Sequence, residues 1–106
     1  MVTQPAIRDR LLLITFDLPN PVPGDSRYRD IDRYLDAIGS VMRPLKQTRL
    51  VITSVSEDMI VASIRARIGI RGGVTAVRVS RRSRIFVDDP GLRAAVRRAI
   101  RRHGSP

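Results

Sequence analysis

Hydrophobic and polar positions divide the chain into alternating strands and helices. The first apolar run, Leu11–Phe16, contains no charged residue and closes on Asp17 and a proline-rich loop over residues 19–25. A short apolar run bounded by Pro, Asn and Gly predicts a buried central strand. Two later runs, Arg49–Thr53 and Val74–Val79, are strand-like in the same way.

Apolar residues at spacings of three and four predict three amphipathic helices. The first runs from Ser26 to about Ile38 and stops at Gly39, and the second ends at Gly69. The third has Pro90 in its first turn and arginines opposite its apolar stripe. The candidate N-caps are Ser26 for the first helix, Ser54 or Ser56 for the second, and Asp88 or Asp89 for the third.

The order of these elements predicts an α+β fold of the ferredoxin-like βαββαβ type, an antiparallel sheet with two helices on one face. Val41–Thr53 supplies two strands as a bent hairpin, and Pro44 confines the first of them to an edge or a bulge. Ile85–Val87 is expected to form a short extra strand before a basic C-terminal helix. The expected divisions are a loose lead-in (1–10), the ferredoxin-like domain (11–87) and the basic helix and tail (88–106).

Composition narrows the function classes. The chain has 106 residues, enough for one domain, and no cysteine, so a disulfide framework, a thiolate zinc site and a cysteine nucleophile are excluded. Its one histidine, His103, is expected at the surface rather than in a catalytic role. Apolar runs fall short of the ~20 residues that span a bilayer, and the first ten residues lack a signal-peptide pattern. A cytoplasmic, soluble protein without a membrane partner is expected.

The net charge of +10 is confined to the C-terminal part, because residues 1–64 balance to zero. Residues 65–106 contain twelve arginines against Asp88 and Asp89. This asymmetry predicts a nucleic-acid interface, RNA or DNA, with a merely solvated face as the alternative. With two Phe and two Tyr in the chain, phosphate contacts are expected to dominate over base stacking. The candidate nucleic-acid-binding residues are Arg78, Arg81, Arg82, Arg84, Arg93, Arg97, Arg98 and Arg101.

Asp17 is the candidate catalytic and metal-binding residue. An ionised carboxylate at the end of a buried strand needs a partner, and the simplest interpretation is that it caps the following turn. The alternative is a Mg²⁺ site, for which one carboxylate is too few. A two-fold homodimer could supply the second copy of Asp17, and the pair could then hold a metal against a phosphodiester.

Two segments carry a family resemblance. Ile14–Asp17 resembles the strand-ending Tyr-Asp or Phe-Asp signature of the CRISPR-associated Cas-two proteins and their VapD-like and SinR-like relatives. Lys46–Val51 is similar to the second-strand pattern of that family, in which Gln or Glu and Ser or Thr precede an apolar pair. The resemblance covers residues 11–87, and the arginine-rich helix lies beyond the family core.

The resemblance implies a ferredoxin-like homodimer in which a short strand, here Ile85–Val87, pairs with the sheet of the partner. It also implies a magnesium-dependent endonuclease acting on RNA or DNA, with Asp17 as metal ligand, or a non-catalytic adaptor beside an integrase-type or other protein partner. An adaptor that uses only the basic C-terminal part, or a ribosomal-protein-like RNA binder on the same fold, would carry the same charge without catalysis.

Overall fold

The computed structural model describes residues 8–69 and 71–106, so most of the predicted lead-in lies outside the described residues. Within these ranges the elements are β1 (Arg10–Asp17), α1 (Ser26–Ile38), β2 (Gly39–Leu45), β3 (Thr48–Thr53), α2 (Glu57–Ile68), β4 (Gly73–Arg78) and α3 (Pro90–His103). None of the helices in the described part is both long and apolar enough to cross a membrane.

The four strands form one antiparallel sheet in the order β2-β3-β1-β4. The predicted α+β class and antiparallel sheet are therefore confirmed. β1 lies between β3 and β4, and its Leu11 and Leu12, which point to opposite faces, are both fully buried. A strand covered on both faces needs a near-continuous apolar run, which explains why β1 shows no alternation of polar and apolar residues.

α1 and α2 cover one face of the sheet. Their apolar stripes pack against the residues of β1 that alternate onto this face. The buried members of this cluster are Leu12, Ile14, Phe16, Leu18, Ile31, Leu35, Val51, Ile60, Ile64 and Ile68. The predicted pair of helices on one face is present.

α3 covers the opposite face, here called the second face. Its buried stripe packs with residues of β1, β3 and the segment that follows β4, namely Leu11, Leu50, Val79, Val87, Val96, Ala99 and Ile100. The predicted extra strand at Ile85–Val87 is wrong, because this segment has no strand pairing. Val87 is buried and Ile85 is half-buried on the second face, so the apolar piece covers the sheet instead of extending it.

The predicted hairpin is present, with β2 as an edge strand paired to β3. The register shifts between Met42 and Leu45, where Pro44 lacks the N–H that a regular ladder requires. Gly39 ends α1 and begins β2 without a loop, and a Cβ atom there would overlap the carbonyl oxygen of Ile52 on β3.

The N-caps of the helices are Asp25, Ser56 and Asp89. The prediction of Ser26 for α1 is wrong by one residue, because Asp25 accepts a hydrogen bond from the Arg27 backbone N–H at 3.0 Å. The Arg27 guanidinium also binds this carboxylate at 2.6 Å, and these hydrogen bonds hold the pKa of Asp25 well below its usual range.

Arg49 joins three parts of the fold from a buried position on β3. Its Nε and Nη2 atoms donate to the two carboxylate oxygens of Asp32 on α1, at 2.7 and 3.2 Å. Its Nη1 atom donates to the carbonyl oxygens of Leu45, Lys46 and Thr48 at 2.8 to 3.0 Å. One side chain therefore fixes the turn between β2 and β3 and ties it to α1.

Asp32 is ionised in this arrangement. Burial alone raises the pKa of Asp32, but the hydrogen bonds and charge of Arg49, with a smaller contribution from Arg43, outweigh the burial. The pKa therefore lies below the ordinary aspartate value. A lowered pKa in the folded state stabilises the protein above the unfolded-state pKa, and this stability is lost as the pH falls through the folded-state pKa.

The substitution Asp32→Asn is expected to lower the free energy of unfolding at neutral pH by about 1 to 3 kcal/mol, because it leaves the buried guanidinium without a charged partner. The difference from the wild type should shrink as the pH falls from neutrality through the lowered pKa of folded-state Asp32, since the wild-type carboxyl group then becomes protonated. Urea denaturation at several pH values measures both effects. Asp36→Asn is the matched control, because Asp36 is exposed and, among the described residues, its carboxylate bonds only to Arg43. Equal effects of the two substitutions would contradict the role given to Arg49.

Candidate nucleic-acid interface

Two arginine-rich segments lie side by side on the molecule. The turn of residues 80–84 follows β4, and a parallel bridge between Ser80 and Ser105 joins it to the end of α3. The Arg81 backbone N–H donates to the Ser105 carbonyl oxygen at 2.8 Å, and the Ser105 N–H donates to that of Val79 at 2.9 Å. Backbone hydrogen bonds thus bring together two basic segments that are separated in sequence.

The arginine surface is defined here as the exposed arginines of these two segments, which are Arg81, Arg82, Arg84, Arg97, Arg98, Arg101 and Arg102. In the described part of the chain none of them forms an ion pair. Asp89 caps α3 by accepting from the Gly91 N–H at 2.9 Å, and Asp88 is exposed without an ion pair there. Within the described residues, no carboxylate therefore pairs with the positive charges of the arginine surface.

Packing of α3 decides where its arginines point. The buried stripe that includes Val96 lies against the second face, and four arginines on the remaining positions are exposed. Arg97 and Arg101 are four residues apart and occupy one flank of the helix, while Arg98 and Arg102 border the flank nearer β2. Both flanks of α3 are consequently positive.

A groove of about 610 Å³ separates one flank of α3 from the segment after the basic turn. It is lined by Ser83, Arg84, Ile85, Phe86, Arg97, Ile100 and Arg101. The groove therefore has arginines on both sides and apolar side chains between them. This combination of positive charge and apolar surface suits a negatively charged ligand that also has apolar faces.

Phe86 is the most exposed large apolar residue of the described chain, at 77% of its full accessibility. The guanidinium carbon of Arg93 lies 4.7 Å from the centre of its ring. Arg93 itself donates to the carbonyl oxygens of Val87 and Asp88 at 3.0 and 3.2 Å. Arg93 is half-buried and positions the segment that carries Phe86, so it differs from the free arginines around it.

The sequence does not show which side of this segment Phe86 occupies, because Ile85, Phe86 and Val87 are all apolar. Val87 is buried, Ile85 is half-buried and Phe86 between them is exposed, which is the alternation of an extended segment lying on an apolar surface. Arg78 is the predicted residue that lies apart from the others. It sits opposite Leu12 on the face of α1 and α2, and its guanidinium pairs with Glu57 at 3.3 Å.

Asp17 is exposed at the end of β1, opposite Gly73 on β4. Its carboxylate takes part in no hydrogen bond or ion pair within the described residues, so the turn-capping interpretation is wrong. The loop after β1 is held by other groups. The Asp25 carboxylate accepts from the Val22 N–H at 3.3 Å, and Arg27 donates to the Pro19 carbonyl oxygen at 2.9 Å.

The surroundings of Asp17 do not complete a magnesium site within one chain. Its neighbours at this end of the sheet include the hydroxyl-bearing Thr15 and Thr75, and the described residues contain no group of three or more His, Cys, Asp or Glu side chains that could hold a metal. Asp17 also lies at the opposite end of β4 from the turn of the arginine surface, about 17 Å away along the strand. Because β1 is paired on both edges, two copies of Asp17 cannot meet by edge-to-edge pairing of their β1 strands.

Comparisons of the chain with protein-family models, curated proteins and solved structures found no match. The resemblance of Ile14–Asp17 and Lys46–Val51 to the Cas-two family therefore stays a prediction.

Gly104→Ala is expected to loosen the joint between the two basic segments. A Cβ atom at Gly104 would lie 2.8 Å from the backbone nitrogen of Arg81 and 2.9 Å from its Cα, closer than packing allows. Amide hydrogen exchange at Arg81 and Ser105 should accelerate relative to the wild type. Gly91→Ala is the control, because a Cβ there meets only the Asp89 carboxylate at 3.4 Å. Unchanged protection at Arg81 and Ser105 would contradict this account of the joint.

Proposed function

We propose that this protein binds nucleic acid, RNA or DNA, through the arginine surface. The observation that carries the proposal is the set of seven exposed arginines that form no ion pair in the described part of the chain. Polyanions release counterions when arginines neutralise their phosphates, which gives strong binding that depends on salt. The planar guanidinium also suits bidentate contact with phosphate oxygens.

A merely solvated basic face explains the arrangement less well. In the N-terminal part, arginines such as Arg10, Arg43 and Arg49 are paired with Glu57, Asp32 and Asp36. On the arginine surface like charges lie together, and no acid in residues 8–69 and 71–106 forms an ion pair with them, an arrangement that costs electrostatic free energy in the free protein. A bound polyanion removes that cost.

A ferredoxin-like fold and a Cas-two-like homodimer are part of the proposal. The element order β1-α1-β2-β3-α2-β4, the sheet order β2-β3-β1-β4 and the two helices on one face support the fold assignment. In this chain Val87 packs against its own sheet, so a dimer in which Ile85–Val87 pairs with the partner's sheet would use the backbone of a segment that is anchored on that face. A cytoplasmic location stays a prediction.

The double substitution Arg97→Ala/Arg101→Ala is expected to weaken binding about tenfold or more at near-physiological salt. The slope of log affinity against log salt concentration should become less steep by about 1.4 to 1.8, if each arginine neutralises one phosphate. Fluorescence anisotropy with labelled oligonucleotides over a salt series measures both quantities.

Arg29→Ala/Arg33→Ala is the matched control for the binding experiment. These residues are also exposed, four positions apart on a helix and without an ion pair in the described chain, so the control removes the same charge from α1. Equal losses in the two double variants would show that net charge alone matters and would reject the arginine surface as the site. Binding of an acidic or integrase-type protein without nucleic-acid binding would favour the adaptor interpretation.

Magnesium-dependent endonuclease activity is a second, separate proposal, supported by the exposed carboxylate of Asp17, which has no hydrogen bond or ion pair within the described part of the chain. Because one chain does not complete the site, the proposal requires a second carboxylate from another copy of the chain. Asp17→Ala is then expected to abolish EDTA-sensitive cleavage of RNA or DNA while leaving folding and nucleic-acid binding unchanged. Cleavage assays and the molar mass in solution test the two requirements. Equal cleavage by the variant and the wild type, or a strictly monomeric active protein, would reject this proposal.

A further inference from the structure

We propose that the groove beside Phe86 binds single-stranded nucleic acid, with one unpaired base stacked on the Phe86 ring and the adjoining phosphates on Arg84, Arg97 and Arg101. This inference rests on the proposed nucleic-acid function and adds the class of substrate. The supporting observation is the position of Phe86, because its exposed ring lines the groove between Arg84 and the α3 residues Arg97 and Arg101.

The side chain of Arg93 contacts the Phe86 ring and orients it. Arg93 lies over the ring at 4.7 Å, and two backbone carbonyl groups hold Arg93 in place. With 77% of the residue exposed, the ring remains accessible to a ligand. A platform fixed before binding loses little conformational entropy when a base stacks on it. The neighbouring guanidinium groups add electrostatic attraction for the adjoining phosphates.

Duplex nucleic acid does not fit this platform equally well. In a duplex the faces of the bases are covered by neighbouring base pairs, so only a frayed end presents a face to an aromatic ring. A single strand exposes base faces next to its phosphates, which matches an aromatic ring flanked by Arg84 on one side and by Arg97 and Arg101 on the other. The arginine surface can contact phosphates of either form, whereas Phe86 contributes only with unpaired bases.

A second copy of this chain is a poorer occupant of the groove. A two-fold interface places the same surface patch of both subunits in contact. Such an interface through Phe86 would bring the unpaired arginines of one copy against those of the other, and like charges brought together oppose association. A polyanionic strand instead neutralises both sides of the groove.

Phe86→Ala is expected to reduce affinity for a single-stranded oligonucleotide about tenfold, and to leave affinity for a blunt duplex of the same length nearly unchanged. Phe86→Tyr, which keeps the ring, should restore single-strand binding. Met59→Ala is the control for loss of an exposed apolar side chain, since Met59 lies on α2 and is 62% exposed. The wild type should also bind an abasic oligonucleotide more weakly than one with bases, because only bases can stack.

The outcomes separate this inference from the proposed function. If Arg97→Ala/Arg101→Ala loses binding but Phe86→Ala does not, the nucleic-acid function stands and the stacking site is rejected. Equal losses on single strand and duplex, or equal affinity for normal and abasic strands, also reject it. A change in molar mass in solution on Phe86→Ala without a change in binding would assign the groove to a second copy. Failure of the wild type to bind any nucleic acid would reject both proposals.

Discussion

The hydrogen bonds of the buried Arg49 connect the turn between β2 and β3 to α1, and the rest of the fold packs around these elements. The Arg49 guanidinium is shared between the Asp32 carboxylate on α1 and three carbonyl oxygens near the turn between β2 and β3. It also lies 5.3 Å from the ring centre of Phe16 on β1. A charge buried to this degree is tolerated only because its donors are satisfied, so the positions of the hairpin, the helix and the central strand depend on one another.

The sheet that results has two apolar faces, and this constraint accounts for the third helix. α1 and α2 cover one face, which leaves Leu11 and Leu50 to be covered from the other side. α3 and the segment before it do so with a stripe of apolar residues that includes Val96. Because that stripe must face the sheet, Arg97, Arg98, Arg101 and Arg102 of α3 face solvent. The proposed interface therefore follows from the packing of the core.

The distribution of acids explains why the two halves of the chain differ. Asp25 and Asp32 bind arginines inside the N-terminal part, and the carboxylates of these pairs are held ionised by their partners. In the C-terminal part Asp89 serves as a helix cap and does not compensate the arginine surface. The excess positive charge of the C-terminal part is therefore also concentrated on one region of the protein surface.

The sequence by itself determined the elements with strong periodicity and clear ends. The central strand that ends at Asp17, the stops at Gly39 and Gly69, and the edge strand with an irregularity at Pro44 were all predictable, because side-chain spacing and the backbone limits of Gly and Pro act locally. The concentration of charge after residue 64 was equally plain.

Only the tertiary structure decided how the apolar and charged residues are used. Ile85–Val87 has the composition of a strand, but burial of Val87 on the second face outweighed edge pairing, and a three-residue pattern cannot distinguish the two. Arg78 lies on the face of α1 and α2 and pairs there with Glu57. Asp17 does not cap the following loop, which Asp25 and Arg27 hold instead. The positions of these residues depend on contacts with residues distant in sequence, and a local sequence pattern cannot predict such contacts.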